Sequence, residues 1–580
     1  MAAKRNGTQT ARAPAPAVDD VEVDGSGFRI QANGLVRRTR DGRSLLSDVS
    51  LVVEPAELVA IVGGSGAGKT TLLEALAGVR PAEEGTVRLD GQDLYRNLAA
   101  WRPSIGYVPQ DDIIHADLPL RTTLRYAARL RLGGRATADQ IEQRVTDALE
   151  ALGLAGRSDV PVRSLSGGQR KRASIAVELL TRPRAFFLDE PTSGLDPATG
   201  AELVRVLLGL AARGTAVLFT THAPQDVTAC DRIVFLAEGG HVAFIGSPAD
   251  ALAYFGVEAI ERIYEAVATE QTPEEWDRRF RENVAPPAQT ASPSRPTPAR
   301  ATEAGAVQQW WVLTRRTVET LFRNRLTVAI LFGSPVMIVA MFAVLFRAGA
   351  FDPTHPEPSA ILMILFWVTF AAFFFGITYG LLQIVTERPI LRREHLSGIR
   401  LGPYLLSKAT VLLPFLVAVD VLVLGVLRGL GRLPAARLEV YVSVGGSLAL
   451  LAAASLGLGL LTSAAVANAS QATLALPLLS FPAVLFSGAI LPVHIMAGVG
   501  VGISLFVPVR WAFEAVGHDL GVRALLSNGH SPLGPPLVAS YGNAGSHAIG
   551  FYWAILGAFV LASFLAAWLV LRRNAAGPVR

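Results

Sequence analysis

The chain has 580 residues, and at roughly 150 residues per domain that length suggests about four units. Hydrophobic residues make up 51% and charged residues 17%, against about 25% charged in an ordinary soluble protein, which excludes a wholly disordered chain and points to membrane burial. The net charge of +5 is small and scattered, so no nucleic-acid partner is expected, and a single cysteine, Cys230, excludes an internal disulfide framework or a cysteine metal cluster. Only four of the 53 basic residues are lysine (Lys4, Lys69, Lys171, Lys408); with the Ala, Gly and Pro load this is the usage of a GC-rich bacterial genome.

Residues 1–26 mix Pro, Ala, Asp and Arg without apolar periodicity and read as a disordered tail. No apolar stretch follows Lys4 and Arg5, so this is not a secretory signal. Residues 27–271 alternate short apolar β-type runs with helical patterns, which predicts an α/β domain with a mainly parallel sheet. Inside it, Leu58–Val62 reads as a strand that runs into Gly63, Gly64, Ser65, Gly66, Ala67, Gly68, Lys69, Thr70 and Thr71, and then into a helix. Strand, phosphate loop and helix stand in the required order. The glycines let the backbone turn tightly and aim N–H groups at phosphate oxygens, and the helix adds its positive N-terminal end. Lys69 supplies a point charge for the β- and γ-phosphates, and Thr70 a hydroxyl for Mg²⁺.

Further on, Leu165-Ser166-Gly167-Gly168-Gln169 opens the helical run QRKRASIAVELL and offers an anion a second helix N-terminus and a Ser hydroxyl. Ala185–Glu190 is an apolar strand ending in two carboxylates. A buried strand would deliver Asp189 beside the phosphate loop to hold Mg²⁺ through water. Glu190 would then orient and polarise the attacking water. Taken alone, the pair suits a solvated turn equally well.

Residues 272–305 turn into Pro, Ala, Ser and Thr and predict a semi-extended linker. Residues 306–325 set Trp310, Trp311, Leu313 and Phe322 among Arg315, Arg316, Arg323 and Arg325, an amphipathic helix. Residues 326–573 contain six candidate spans: Leu326–Phe346, Ala360–Val385, Tyr404–Leu427, Val440–Val466, Ala472–Leu491 and Gly550–Leu571. Arginines before the first span, after the second and at the tail put those segments on the cytoplasmic side. Arg428, Arg432 and Arg437 disagree, because they would sit outside. Asp420 lies within the third span, where an acid is a functional candidate.

The phosphate loop, the LSGGQ pentapeptide and Asp189-Glu190 together resemble the ATP-binding cassette (ABC) family, whose signature motif is matched in full. The resemblance covers the whole soluble domain and implies ATP and Mg²⁺ as cofactors. By the same resemblance Gln110 in GYVPQDD is the Q-loop glutamine and a further Mg²⁺ ligand, Ser193-Gly194-Leu195-Asp196 is the D-loop, and His222 in FTTH is the switch histidine that touches the γ-phosphate. The implied catalytic set is Glu190, His222 and Gln110, with Asp196 among the nucleotide-binding residues. One departure stands out: Leu35–Asp48 lacks the aromatic that family members place before the loop to stack on adenine. Arg38 or Arg40 could stack instead.

The order of parts, SGGQRKRASIAVELL and LDEPTSGLDP resemble the G subfamily, the white-type half transporters and their bacterial relatives. ERPILRREHLSGIRLGPYLLSK is similar to the loop that forms a coupling helix in that subfamily. In the family, the phosphate loop of one cassette faces the signature motif of another. This chain has one of each, so the resemblance implies a working dimer, with a second copy or a related half transporter. The fold expected is an α/β P-loop ATPase followed by an all-α six-span membrane domain in a bacterial plasma membrane, nucleotide domain cytoplasmic. The expected activity is ATP-driven export of a hydrophobic or amphipathic cargo, a lipid or drug. Phe366, Phe370, Phe373, Phe374, Phe375, Phe481 and Phe486 are the expected translocation face. A rival reading is a regulatory or mechanical device that acts on an envelope partner and moves no solute.

Overall fold

Among the described residues, ten strands build the first unit: β1 (Ile30–Arg38), β2 (Ser44–Val53), β3 (Leu58–Gly63), β4 (Glu84–Leu89), β5 (Gln92–Asp93), β6 (Ile105–Val108), β7 (Ala185–Leu188), β8 (Ala216–Thr220), β9 (Arg232–Ala237) and β10 (His241–Gly246). The structure is a computed structural model that describes residues 27–283, 304–528, 531–542 and 544–576. The predicted tail at 1–26 lies outside the described residues.

β3, β7 and β8 are short apolar runs buried at every position, as central parallel strands covered on both faces must be. They sit inside a six-stranded sheet of order β10-β9-β3-β8-β7-β6. Every pairing in it is parallel except β10 with β9. The period-two alternation of strand side chains splits the interior into two cores. Leu58, Ala60, Val62, Phe186, Leu188, Val217 and Phe219 enter one, and Val59, Ile61, Ala185, Phe187, Ala216 and Leu218 enter the other. A second, antiparallel sheet of order β2-β1-β4-β5 closes over the latter.

The linker expected from residue 272 starts later than its composition suggests. Pro273–Asn283 is helical, with Thr272 Oγ1 accepting the Glu275 N–H. Trp276 and Phe280, one turn apart, are buried, the Trp276 ring 5.1 Å from that of Phe255. Burying two aromatics outweighs the poor composition of this stretch. The remainder of the expected linker, 284–303, lies outside the described residues.

The chain divides into two compact units at Gly305. The second unit opens with the helix Ala306–Arg323, whose buried side is Gln309, Val312, Leu313 and Arg316, while Trp311 and Phe322 are exposed. Arg316 therefore lies on the inner side, in a two-pronged pair with Glu394 of the helix Arg388–Leu396 (Nη2 to Oε2 2.9 Å). Among the described residues, five helices are long and apolar enough to cross a bilayer: Val328–Leu345, Pro358–Leu381, Leu401–Gly429, Leu438–Ala465 and Ile549–Asn574. The segment expected as the fifth span is instead Ala469–Leu485, 17 residues with Pro477 and Pro482 inside. At 1.5 Å per residue it is about 25 Å long, short of the roughly 30 Å hydrocarbon core. A pair that would make a sixth crossing, Gly498–Ser504 and Pro508–Asp519, is bent by 79°.

Helices Pro358–Leu381 and Leu438–Ala465 approach closely, and a Cβ on Gly380 would fall 2.8 Å from the Leu456 carbonyl oxygen. Small residues at such contacts let backbones meet. The aromatic stripe divides. Phe366, Phe373 and Phe375 are buried within this unit, whereas Phe481 is exposed beside Leu474 and Leu478. The first three act as packing. Arg432, one of the arginines that disagreed with the charge rule, donates to the Phe346 carbonyl at 3.0 Å and the Ala343 carbonyl at 2.9 Å, closing the end of the first membrane helix. Asp420 is 6% exposed, and its Oδ2 has no hydrogen-bond partner among the described residues.

Candidate active site

The strand order explains why residues far apart in sequence meet. β3, β8, β7 and β6 are consecutive neighbours in the sheet and all point the same way. Gly63 closes β3, Asp189 and Glu190 follow β7, Thr220 closes β8 ahead of His222, and Gln110 follows β6. The carboxyl ends of parallel strands form the crevice where open α/β sheets bind ligands.

The phosphate loop turns on Gly68, the N-cap of the helix Lys69–Leu76, at φ 94°. A Cβ there would also lie 2.3 Å from the Leu45 carbonyl oxygen, so only glycine fits. Gly68 offers no capping side chain, which leaves the first-turn N–H groups, including those of Lys69, Thr70 and Thr71, for another acceptor. Gly64, Ser65 and Gly66 are exposed, whereas Ala67 is buried beneath them. Lys69 Nζ donates to the Gly63 and Gly64 carbonyls, each at 2.9 Å. Burial pushes its amine below the usual lysine range, and the Glu190 and Asp189 carboxylates oppose that.

Asp189 is 2% exposed, and its Oδ1 accepts from Thr220 Oγ1 at 2.6 Å and from Thr70 Oγ1 at 3.1 Å. Burial raises its carboxyl pKa, and both hydroxyl bonds hold it down. A hydroxyl and a carboxylate this close are hard oxygen donors that suit Mg²⁺, an ion that takes one or two protein ligands and completes its shell with phosphate and water. Among the described residues no group of three or more His, Cys, Asp or Glu forms a metal cage.

Glu190 is the meeting point of the expected catalytic set. Gln110 Nε2 donates to Glu190 Oε2 at 3.1 Å, and His222 Nδ1 lies 3.6 Å from Oε1. Glu190 holds φ 45°, unusual for a residue with a side chain, and the Thr220 hydroxyl accepts its N–H at 2.8 Å. Ser166 and Gln169 bond each other. Ser166 caps the helix Gly167–Leu179 in a reciprocal box with Gln169, at 3.1 and 3.3 Å. Ser166 and Gly167 are exposed, and Gly168 is half-buried. Asp196 is likewise an exposed helix N-cap, accepting the Thr199 N–H at 3.0 Å. The bonds from Thr199 lower its pKa.

Sequence reasoning missed four residues. Thr220 ties Asp189 to the Glu190 backbone, and its only sequence signal is a hydroxyl closing an apolar strand. Asp226, 3% exposed, accepts from Thr192 Oγ1 at 2.6 Å and Thr221 Oγ1 at 2.9 Å, joining the segments after β7 and β8. Lys171 donates to the Gln110 carbonyl at 2.6 Å. The Arg43 guanidinium stands 3.9 Å from where a Cβ on Gly66 would sit and 3.0 Å from Glu238. The Arg38 guanidinium lies instead 3.6 Å from Glu84, and its backbone N–H donates to Glu83.

Residues 46–193 match the family model described as ABC transporter, and residues 308–518 the one described as ABC-2 type transporter. This is an ABC ATPase domain followed by an ABC-2 type membrane domain, in a multi-pass membrane chain. Its relatives include the ABC transporter ATP-binding/permease protein Rv1747 of Mycobacterium tuberculosis, 33% identical over 531 residues, covering 86% of this chain and 60% of that one. Others are the protein white of Drosophila melanogaster (38% identical; 40% of this chain, 37% of that one) and ABC transporter G family member 22 of Arabidopsis thaliana (37% identical; 37% and 29%). The chain thus belongs with the nucleotide-domain-first ABC transporters related to the G family, and it spans 60% or less of the length of these curated relatives.

Proposed function

We propose that the chain is one half of an ATP-driven exporter that works as a pair of chains in a bacterial plasma membrane, with its nucleotide domain in the cytoplasm. The observation that carries this reading is the convergence of Gln110 and His222 on Glu190, beside an Asp189 carboxylate held by Thr70 and Thr220. The phosphate loop, Gly63 to Thr71, binds the triphosphate through its N–H groups and the Lys69 ammonium. Thr70, Asp189 and Gln110 hold Mg²⁺, which when bound neutralises charge on the β- and γ-phosphate oxygens. Glu190 accepts a proton from the attacking water, Gln110 and His222 fix the direction of its carboxylate, and His222 reaches the γ-phosphate.

Ser166 and Gly167 present an exposed helix N-terminus, with Gly168 and Gln169 half-buried behind them. That supports a site completed between two copies, the signature segment and Asp196 of one chain facing the phosphate loop of the other. ATP then bridges the copies, and hydrolysis releases them. The cargo is hydrophobic or amphipathic, a lipid or drug-like molecule. The exposed apolar residues Leu474, Leu478 and Phe481 support an apolar route.

Proteoliposomes test this. The wild type should hydrolyse ATP and move a fluorescent lipid, while Glu190→Gln keeps ATP-held pairs and loses hydrolysis by about a hundredfold or more. Near-normal turnover in Glu190→Gln would remove the assigned base. Turnover that requires an envelope partner and moves no solute would favour the mechanical reading.

A further inference from the structure

The signature helix, Gly167–Leu179, carries one residue that the chemistry above leaves unused. Lys171 is 4% exposed, and lysine is almost never that buried unless its charge is met. Its Nζ donates to the main-chain carbonyl of Gln110 at 2.6 Å. The side chain of the same Gln110 donates to Glu190 at 3.1 Å. One residue is thus gripped at its backbone by the signature helix while its amide meets the proposed base. Burial pushes this amine below the usual lysine range, and the carboxylates of Asp112, Asp189, Asp111 and Glu190 oppose that.

Gln110 needs an anchor. It follows β6 in a stretch without regular secondary structure, and its side chain is exposed. Sheet bonding reaches only as far as Val108, whose carbonyl accepts the Asp189 N–H at 2.9 Å. Beyond that point the Lys171 bond holds the Gln110 backbone directly. The helix is stiff, and its first turn carries Ser166 and Gly167, only four to five residues before Lys171. A small rotation of the helix N-terminus is therefore transmitted to the Gln110 backbone.

We propose that Lys171 is a positioning residue that couples the signature helix to Gln110, so that nucleotide seated on Ser166–Gly168 in one composite site sets the reach of Gln110 to Glu190 in the other. This rests on the two-copy reading above. It gives the pair of sites a specific wire: Ser166, Lys171, Gln110, Glu190. The consequence is cooperative turnover, with each site hydrolysing faster when the other is filled.

The test uses the full chain in proteoliposomes, with ATP turnover measured against ATP and Mg²⁺, and ATP affinity measured separately at equilibrium. Lys171→Met should lower kcat by about tenfold, bring a Hill coefficient above one down toward one, and leave ATP affinity within about twofold. Lys171→Arg can still donate to the Gln110 carbonyl and should recover most of the rate. Should Lys171→Met not fold, Lys171→Gln, whose donor is too short to reach, serves in its place. A wild-type Hill coefficient of one, unchanged kcat in Lys171→Met, or equal losses in the Met and Arg variants would each overturn the proposal. Glu190→Gln in the same series separates the failures. Normal turnover there sinks the hydrolysis site itself; loss there with an unaffected Lys171→Met sinks only this link.

Discussion

Replacing Thr220 by Val removes one oxygen from the centre of the site and nearly preserves the side chain's shape. That hydroxyl is fully buried, donates to Asp189 at 2.6 Å and accepts the Glu190 N–H at 2.8 Å. Losing the first contact strips a bond worth about 1.5–3 kcal/mol from a buried carboxylate, and losing the second leaves a buried N–H unsatisfied at about 1–3 kcal/mol. The two share one atom and do not simply add, so about 3 kcal/mol is expected in total. For a unit of this size that lowers its melting temperature by about 6–12 °C. Turnover should fall more than about tenfold, because Asp189 and Glu190 both lose their reference point. Thr220→Ser keeps the hydroxyl and should stay near wild type. Melting and ATP hydrolysis measured on the same full-length sample decide it. A Thr220→Val protein that melts with the wild type, or turns over at its rate, refutes the claim that this hydroxyl holds the two carboxylates.

Two further outcomes follow from the geometry. Lys69→Ala removes the ammonium that reaches the loop carbonyls and should weaken ATP binding by about tenfold or more; unchanged affinity in a nucleotide titration would exclude a phosphate role for Lys69. Arg316→Leu removes the buried guanidinium that pairs with the half-buried Glu394, and breaking such a pair costs up to about 3–5 kcal/mol. The adjacent pair of Lys408 with Glu387 stays intact, so the double variant Arg316→Leu with Glu394→Leu should recover much of the loss in thermal melting. A single variant as stable as wild type would show that the pair contributes nothing.

The nucleotide half was the more legible in sequence because its chemistry depends on residue type at fixed spacing. Gly68 must be glycine, and the neighbouring parallel strands bring Lys69, Asp189 and Gln110 together without further instruction. What sequence hid were contacts set by depth. Lys171 and Asp226 look like solvated charges until burial shows each holding a loop. Trp276 and Phe280 carry the only core signal in the stretch after residue 272, and Pro and charged neighbours outweighed it by composition. In the membrane half, apolar content alone does not show that the fifth expected segment is a helix of only 17 residues with Pro477 and Pro482 inside. Nor does it separate an aromatic packed inside, such as Phe373, from one facing outward, such as Phe481.

Arg432 exposes a tension in how such chains acquire an orientation. Counting cations on each side of a bilayer treats every guanidinium as free in water, yet this one is bound to carbonyls at a helix terminus. Its charge is matched by a local dipole and adds little to the asymmetry that steers insertion. Two demands, closing an end and choosing a side, thus compete for the same kind of residue. Arg388, on the side the charge rule makes cytoplasmic, serves both, donating to the Ser463 and Ala464 carbonyls at 3.0 and 2.9 Å.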